Sequence, residues 1–417
     1  MKKKVWIFNH YAAGMLYDKG GRHYWFAKYL KRDGYEPTIF CCNVKHNAYE
    51  NWIDTNNLWT EKIAEDIKVP FVIVKSSLYR GNGKDRVINM IGFYLNVKKA
   101  AKEYAKTHEK PDVIYASSVH PLTLIAGIQL AKYFKVKCIC EVRDLWPLSL
   151  VDYGFLSEGS MLTKFLYKGE HWIYKNADAI IFTAGGFNDY IAERGWQNDV
   201  PKTKVYYINN GIDLELFDYN KYHFLIEDED LKNESYFKVI YTGSIRKANG
   251  LNKLLDIAKL VENPNIIFLI WGDGEELPKI RERIRNEKIS NVVLKGRVEK
   301  KYIPYITSKA NINIVHGNGA PLLRFGISAN KIFDYLASGQ PILCDFYANY
   351  NPIVSYNAGL SVDSGDVKDI AKAIDYFSIM SDKQISIYGK SARKAAIDFD
   401  FKILTKKLID VINSINY

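Results

Sequence analysis

Short apolar runs alternate with stretches of helical periodicity along nearly the whole chain, and the pattern runs twice. In the first half KVWIF reads as a strand, GGRHYWFAKYLKRDGY as a helix stopping at Gly34, and EPTIFCC as the next strand. DVIYASS, PLTLIAGIQLAKYF, KCICEV, a helix through Phe165 to Lys175 and DAIIFTA continue the alternation. After KVYYINNGIDLELF it begins again with FKVIYTGS, GLNKLLDIAKLVE, NIIFLIWGDG, ELPKIRERIRNEKI, NVVLKG, YIPYITSKA and NINIVHG, then a further helix, PILCD and a helical end. Apolar strands separated by helices demand a parallel sheet covered on both faces. The chain is therefore α/β, with two Rossmann-like, doubly wound lobes expected to face each other across a cleft. At 417 residues it exceeds what one core serves. The lobes are expected at 1–205 and 206–395, with a C-terminal helix at 396–417 packing back on the first. The polar, acidic stretch from Tyr219 to Ser235 is expected to mark the seam.

Composition narrows the class further. Apolar residues make up 47% and charged residues 25% of the chain, which argues against disorder. The cysteines (Cys41, Cys42, Cys138, Cys140 and Cys344) show no metal-ligand spacing and read as reduced, buried thiols of a cytoplasmic protein. The basic start MKKK leads into an apolar run too short for a signal peptide or a membrane span. A net charge of +11 points to nucleic acid, anionic lipid or phosphorylated small molecules. Lysines spread along the chain rather than blocked together disfavour nucleic acid. The segment from Tyr79 to Lys110 sets Ile88, Ile91, Phe93, Leu95 and Val97 among seven lysines and arginines, as in a helix lying on an anionic membrane. A helix packed on a sheet with a solvated lysine face is the alternative.

Glycines stand at three strand-to-helix turns: Gly20-Gly21, Gly243, and WGDG at 271–274. None forms G-x-G-x-x-G or a phosphate-binding P-loop, so a redox dinucleotide or P-loop function is unsupported. The most informative stretch is GISANKIFDYLASGQPILCD, from Gly326 to Asp345. If Ser328 caps its helix, the amides of Ala329, Asn330 and Lys331 face outward with the positive end of the helix dipole behind them. Lys331 adds a charge, and Asp334 follows on the same side, placed to accept both hydroxyls of a ribose. Diphosphate at the cap and ribose on the acid imply a nucleoside diphosphate; a surface aspartate favoured by the dipole is the plainer reading. Arg246 and Lys247, just past a strand end, are candidates for a diphosphate clamp or a solvated loop.

GGRHYWFAKYL, SSVHPLTLIAG, EVRDLWP, INNGIDLELF, YTGSIRKANGL, WGDGEELPKI and SANKIFDYLASGQPIL, in that order, resemble the successive signatures of the family 4 retaining glycosyltransferases of the GT-B fold. The bacterial O-antigen and capsule branch, such as the fucosamine transferases, is the one resembled in particular. The resemblance implies transfer, with retention, of an N-acetylated hexosamine or deoxyhexosamine. The donor would be a UDP-sugar and the acceptor a lipid diphosphate-linked saccharide at the inner membrane face. It implies no cofactor and no metal. Asp334 corresponds to the second acid of the family's E-x7-E element, the ribose binder; the first falls on Gly326, so the sugar would be read by the amides of Gly326, Ile327 and Ser328 or by other side chains. Asn330 and Lys331 complete the donor site with Gly243, and Gly21 resembles the glycine lying against the donor phosphate. Arg246 or Lys247 serves the clamp, although Asn249 stands where the family commonly has lysine. His120 matches a histidine near the reaction centre. Arg143 and Asp144 belong to the acceptor or phosphate side, or form a structural pair. A sugar-nucleotide epimerase, or a degenerate GT-B protein that binds a saccharide or a partner, remains the alternative.

Overall fold

The computed structural model describes residues 2–415 apart from Asn47, Asn82 and Val119. Two compact units divide the chain: Met1–Asn209 with Phe401–Tyr417, and Asn210–Asp400.

The first unit holds eight strands: β1 (Lys4–Phe8), β2 (Glu36–Cys42), β3 (Trp59–Ala64), β4 (Val69–Val74), β5 (Val113–Ser117), β6 (Lys137–Val142), β7 (Ala179–Phe182) and β8 (Val205–Tyr207). Their order is β3-β4-β2-β1-β5-β6-β7-β8, parallel throughout except for β3, which runs antiparallel to β4. Val5, Ile7 and Phe8 of β1, like Ile114 and Ala116 of β5, are fully buried, as expected for strands covered on both faces. The β3–β4 pair escaped the helix–strand alternation because a hairpin breaks it. β8 completes this sheet, so the divide falls after Asn209 rather than at 205. The helix Phe401–Ser414 belongs to this unit, with the Phe401 ring edge-on to Phe26 at 5.4 Å. Beneath the first long helix, Arg22–Arg32, lies a buried charge network. Arg22 donates to Glu141 at 2.7 Å and to the carbonyls of Asn209 and Ile208, while His23, Tyr115 and Ser117 also bond Glu141.

The second unit has six parallel strands: β9 (Phe237–Thr242), β10 (Ile266–Trp271), β11 (Val292–Gly296), β12 (Ile312–Val315), β13 (Ile342–Cys344) and β14 (Gly359–Ser361), in the order β11-β10-β9-β12-β13-β14. Leu251, Leu254, Leu255, Ile370 and Ile374 pack on one face of the sheet as the apolar stripes of their helices. The acidic stretch Tyr219–Ser235 is not the seam between units. It lies inside this unit and takes in the end of the helix Leu214–His223 and the whole helix Glu229–Lys232; Asp228 caps the second and, with Asp230, pairs with Lys295. Cys41, Cys42, Cys138, Cys140 and Cys344 are all buried and free.

Candidate functional site

In an open parallel sheet the crevice for a ligand opens where the strand order reverses, beyond the carboxyl ends. The order reverses between β1 and β5 in the first unit and between β9 and β12 in the second. Both switch points carry polar side chains.

In the second unit, Gly243 follows β9 and the helix Asn330–Ser338 follows β12. The Lys331 ammonium lies 4.1 Å from the Tyr241 ring centre, and a Cβ added at Gly243 would sit 2.9 Å from its Nζ. Any side chain at Gly243 would occupy the space of that ammonium. Among the described residues Lys331 forms no ion pair. Burial lowers it to about 8, against a raising influence from Asp345. Asp334, one turn further on, is half-buried and makes no hydrogen bond or ion pair among the described residues. Burial raises its carboxyl to about 6, with Lys300 opposing. A cation and a carboxylate outside any ion pair among the described residues, on one helix end, suit a ligand with an anionic part and adjacent hydroxyls.

The cap differs from expectation. Ala329, not Ser328, occupies the cap position, and no side chain caps the helix. Ser328 is engaged elsewhere: its Oγ and carbonyl accept from the backbone and side chain of Asn210 at 3.3 and 2.8 Å. The uncapped amino end leaves its amides to a ligand. Gly326 ends the turn Pro321–Phe325 at φ 114°, and Ile327 is buried beside it. Asn330 opens the helix. Gly243 and Gly272 make a close approach: a Cβ at Gly272 would lie 1.9 Å from the Gly243 carbonyl oxygen. That fixes the β9 turn against the β10 turn, and Ile245 bonds the Asp273 carbonyl at 2.8 Å. Arg246 and Lys247 are exposed, and Arg246 faces Glu275 at 4.0 Å. A pair so open to solvent stabilises little. Asn249 does not reach outward as a lysine would; its amide folds the turn by donating to the Ser244 carbonyl and hydroxyl at 2.6 and 2.8 Å.

In the first unit, His120 stands at the cap position of the helix Pro121–Phe134, after β5, and its Nε2 lies 2.5 Å from Nδ1 of His10, just past β1. Both rings are buried. Burial, helped by Arg86, lowers His120 to about 3, and burial with His120 holds His10 well below the usual imidazole range. The pair is therefore neutral and shares one N–H between two ring nitrogens. Gly21 precedes the helix Arg22–Arg32 at φ 112°, against Met15. The Arg143 amide donates to Ser118 Oγ at 3.0 Å, and Asp144 is exposed. The two form no ion pair among the described residues.

Residues 24–216 match the family described as Glycosyltransferase Family 4, and residues 225–395 match Glycosyl transferases group 1. The chain belongs to the GT-B glycosyltransferases. The probable glycosyltransferase WbjE of Pseudomonas aeruginosa is 22% identical over 236 residues, 55% of this chain. The processive diacylglycerol alpha-glucosyltransferase of Acholeplasma laidlawii is 28% identical over 143 residues, 33% of the chain. Those matches span 56% and 41% of the two relatives' own lengths. Among solved structures, Anabaena Alr3699/HepE in complex with UDP superposes with a TM-score of 0.67 at 13% identity, covering 99% of this chain and 100% of that one. It shares the fold of this GT-B chain.

Three residues at the switch points escaped sequence reading: His10, His316 and Asp345. The available signal was position, since each stands one or two residues beyond a strand, and His120 three.

Proposed function

We propose that the chain is a retaining glycosyltransferase. It takes an N-acetylated hexosamine or deoxyhexosamine from a UDP-sugar and adds it to a lipid diphosphate-linked saccharide in surface polysaccharide synthesis. The observation that carries the reading is that Lys331 and Asp334, neither in an ion pair among the described residues, stand three residues apart at an uncapped helix end beside Gly243. Diphosphate meets the amides and the ammonium, and the ribose hydroxyls meet the carboxylate. The UDP complex of the structural neighbour supports the choice of base, and the alpha-glucosyltransferase relative supports retention and a lipid acceptor. The bond between the anomeric carbon and the diphosphate breaks while the acceptor hydroxyl attacks from the same face. Its proton passes to the departing phosphate oxygen. Lys331, the helix end and the Arg246–Lys247 turn stabilise the leaving charge without a metal ion.

The acceptor reading brings an anionic membrane surface with it. On the helix Lys84–Thr107, Val87, Ile88, Ile91 and Leu95 are exposed, with Lys98, Lys99 and Lys102 following. Phe155, Met161 and Phe165 of the same unit are 74, 82 and 71% exposed. Large apolar side chains so open, beside lysines, favour the interface of an anionic bilayer on the inner face of the cell membrane. No helix among the described residues is long and apolar enough to cross a membrane.

A thermal-shift panel of nucleotide sugars tests the donor. A UDP-sugar should raise Tm by mass action, and Asp334→Ala should abolish the shift. Flotation with vesicles of phosphatidylcholine and phosphatidylglycerol tests the surface. A chain stabilised by no nucleotide sugar refutes the activity; one that stays unbound at low salt refutes the membrane reading.

A further inference from the structure

Strands β12 and β13 end side by side, and each is followed by a titratable residue with no part in the chemistry above. His316 and Asp345 are both buried, and His316 Nδ1 bonds the Asp345 carboxylate. The second carboxylate oxygen takes the Gly317 amide at 3.1 Å. On the far side of the ring, Nε2 lies 3.0 Å from the Gly250 carbonyl oxygen. A carbonyl only accepts, so the ring nitrogen that faces it carries the proton. The ring therefore donates from Nε2 to the Gly250 carbonyl, while Nδ1 is held by the Asp345 carboxyl group.

What it holds matters more than the pair itself. Gly250 closes the turn Lys247–Asn249, which Arg246 opens. The turn has two anchors. At one, the Asn249 amide grips Ser244; at the other, His316 grips Gly250. Lys253, just beyond, donates to the Asp345 carbonyl at 3.2 Å, which ties the following helix to the same point. The Tyr241 ring, which carries the Lys331 ammonium on one face, stands edge-on to His316 at 6.4 Å. The exposed cations of the turn are thus referenced through one buried, hydrogen-bonded pair to the strand ends around Lys331.

We propose that His316 and Asp345 are positioning residues of the donor site, clamping the Gly250 carbonyl so that the Arg246–Lys247 turn is held where its cations meet the diphosphate of a nucleotide sugar. The proposal rests on the reading that this unit binds a nucleoside diphosphate. Neither residue touches the ligand.

The test uses the full chain and calorimetric affinities for UDP and for uridine, which lacks the diphosphate. His316→Ala and Asp345→Asn should weaken UDP at least tenfold and leave uridine within twofold. In a background already carrying Arg246→Ala and Lys247→Ala, His316→Ala should cost less than threefold more, because the cations it positions are gone. A purely structural role predicts equal losses for both ligands and full additivity; either result overturns the proposal. If His316→Ala does not fold, His316→Leu, which fills the space and donates no hydrogen bond, takes its place with the same expectations. Nitrogen NMR of the wild-type ring should show a proton on Nε2, and a ring with Nε2 unprotonated overturns the clamp. A wild-type chain that binds no UDP would instead overturn the donor reading itself.

Discussion

The Lys331 ammonium rests on the face of the Tyr241 ring, 4.1 Å from its centre, and forms no ion pair among the described residues. A cation kept this way is desolvated by the protein yet retained by the ring's electron density. Its proton becomes easier to lose, and an anion that binds there restores it.

UDP affinity should therefore follow a bell between about pH 6 and 8. Lys331, lowered to about 8, must be protonated to meet the diphosphate, so binding weakens as pH rises past that value. Asp334, raised to about 6, must be ionised to accept the ribose hydroxyls, so binding weakens below it. One pH unit beyond either limit should cost about tenfold in Kd by calorimetry. Lys331→Arg, always charged, should remove the alkaline limb.

His120→Ala should lower kcat by about a hundredfold while leaving the Kd for UDP within twofold, measured by steady-state kinetics and calorimetry. Because its imidazole is held near 3, the kcat profile of the wild type should show no inflection near pH 6.5 from this residue.

Arg22→Met should destabilise the first unit by about 3–5 kcal/mol in urea titrations, since it strands the fully buried Glu141 carboxylate. Burial pushes that carboxyl up, but Arg22 and His23 together hold it well below its ordinary range. Arg22→Met with Glu141→Gln should recover part of the loss.

Glu170 is buried between the hydroxyls of Tyr174 and Tyr190, each 2.6 Å away, and burial raises it from 4.5 to about 8. The folded chain keeps a proton there that the unfolded chain releases. Stability should therefore fall as pH rises from about 4.5 to 8 and level off above, by at most roughly 1.4 kcal/mol for each pH unit between the two titrations. Glu170→Gln should flatten that slope in Tm measured across the range.

The repeated alternation of apolar strands and helices fixes two doubly wound sheets because period and burial are local properties. KVWIF, DVIYASS and NINIV are strands in the fold for the reason their composition gives: both faces are covered. The β3–β4 hairpin was not legible, since it breaks the alternation on which the reading stands. The placing of Lys331 and Asp334 three residues apart on one helix was legible because that spacing is a local property, whatever the rest of the chain does.

Ser328 shows the limit of that local logic. A serine before a helix is a good cap, yet Asn210, more than a hundred residues away in sequence, claims its oxygens, and the cap passes to Ala329. Partnerships of this kind, with His10 meeting His120 and His316 meeting Asp345, depend on which strands become neighbours. Side-chain spacing along one element is written in the order of residues. Hydrogen-bond partners at strand ends are chosen by the order of strands in the sheet, which only the folded chain decides.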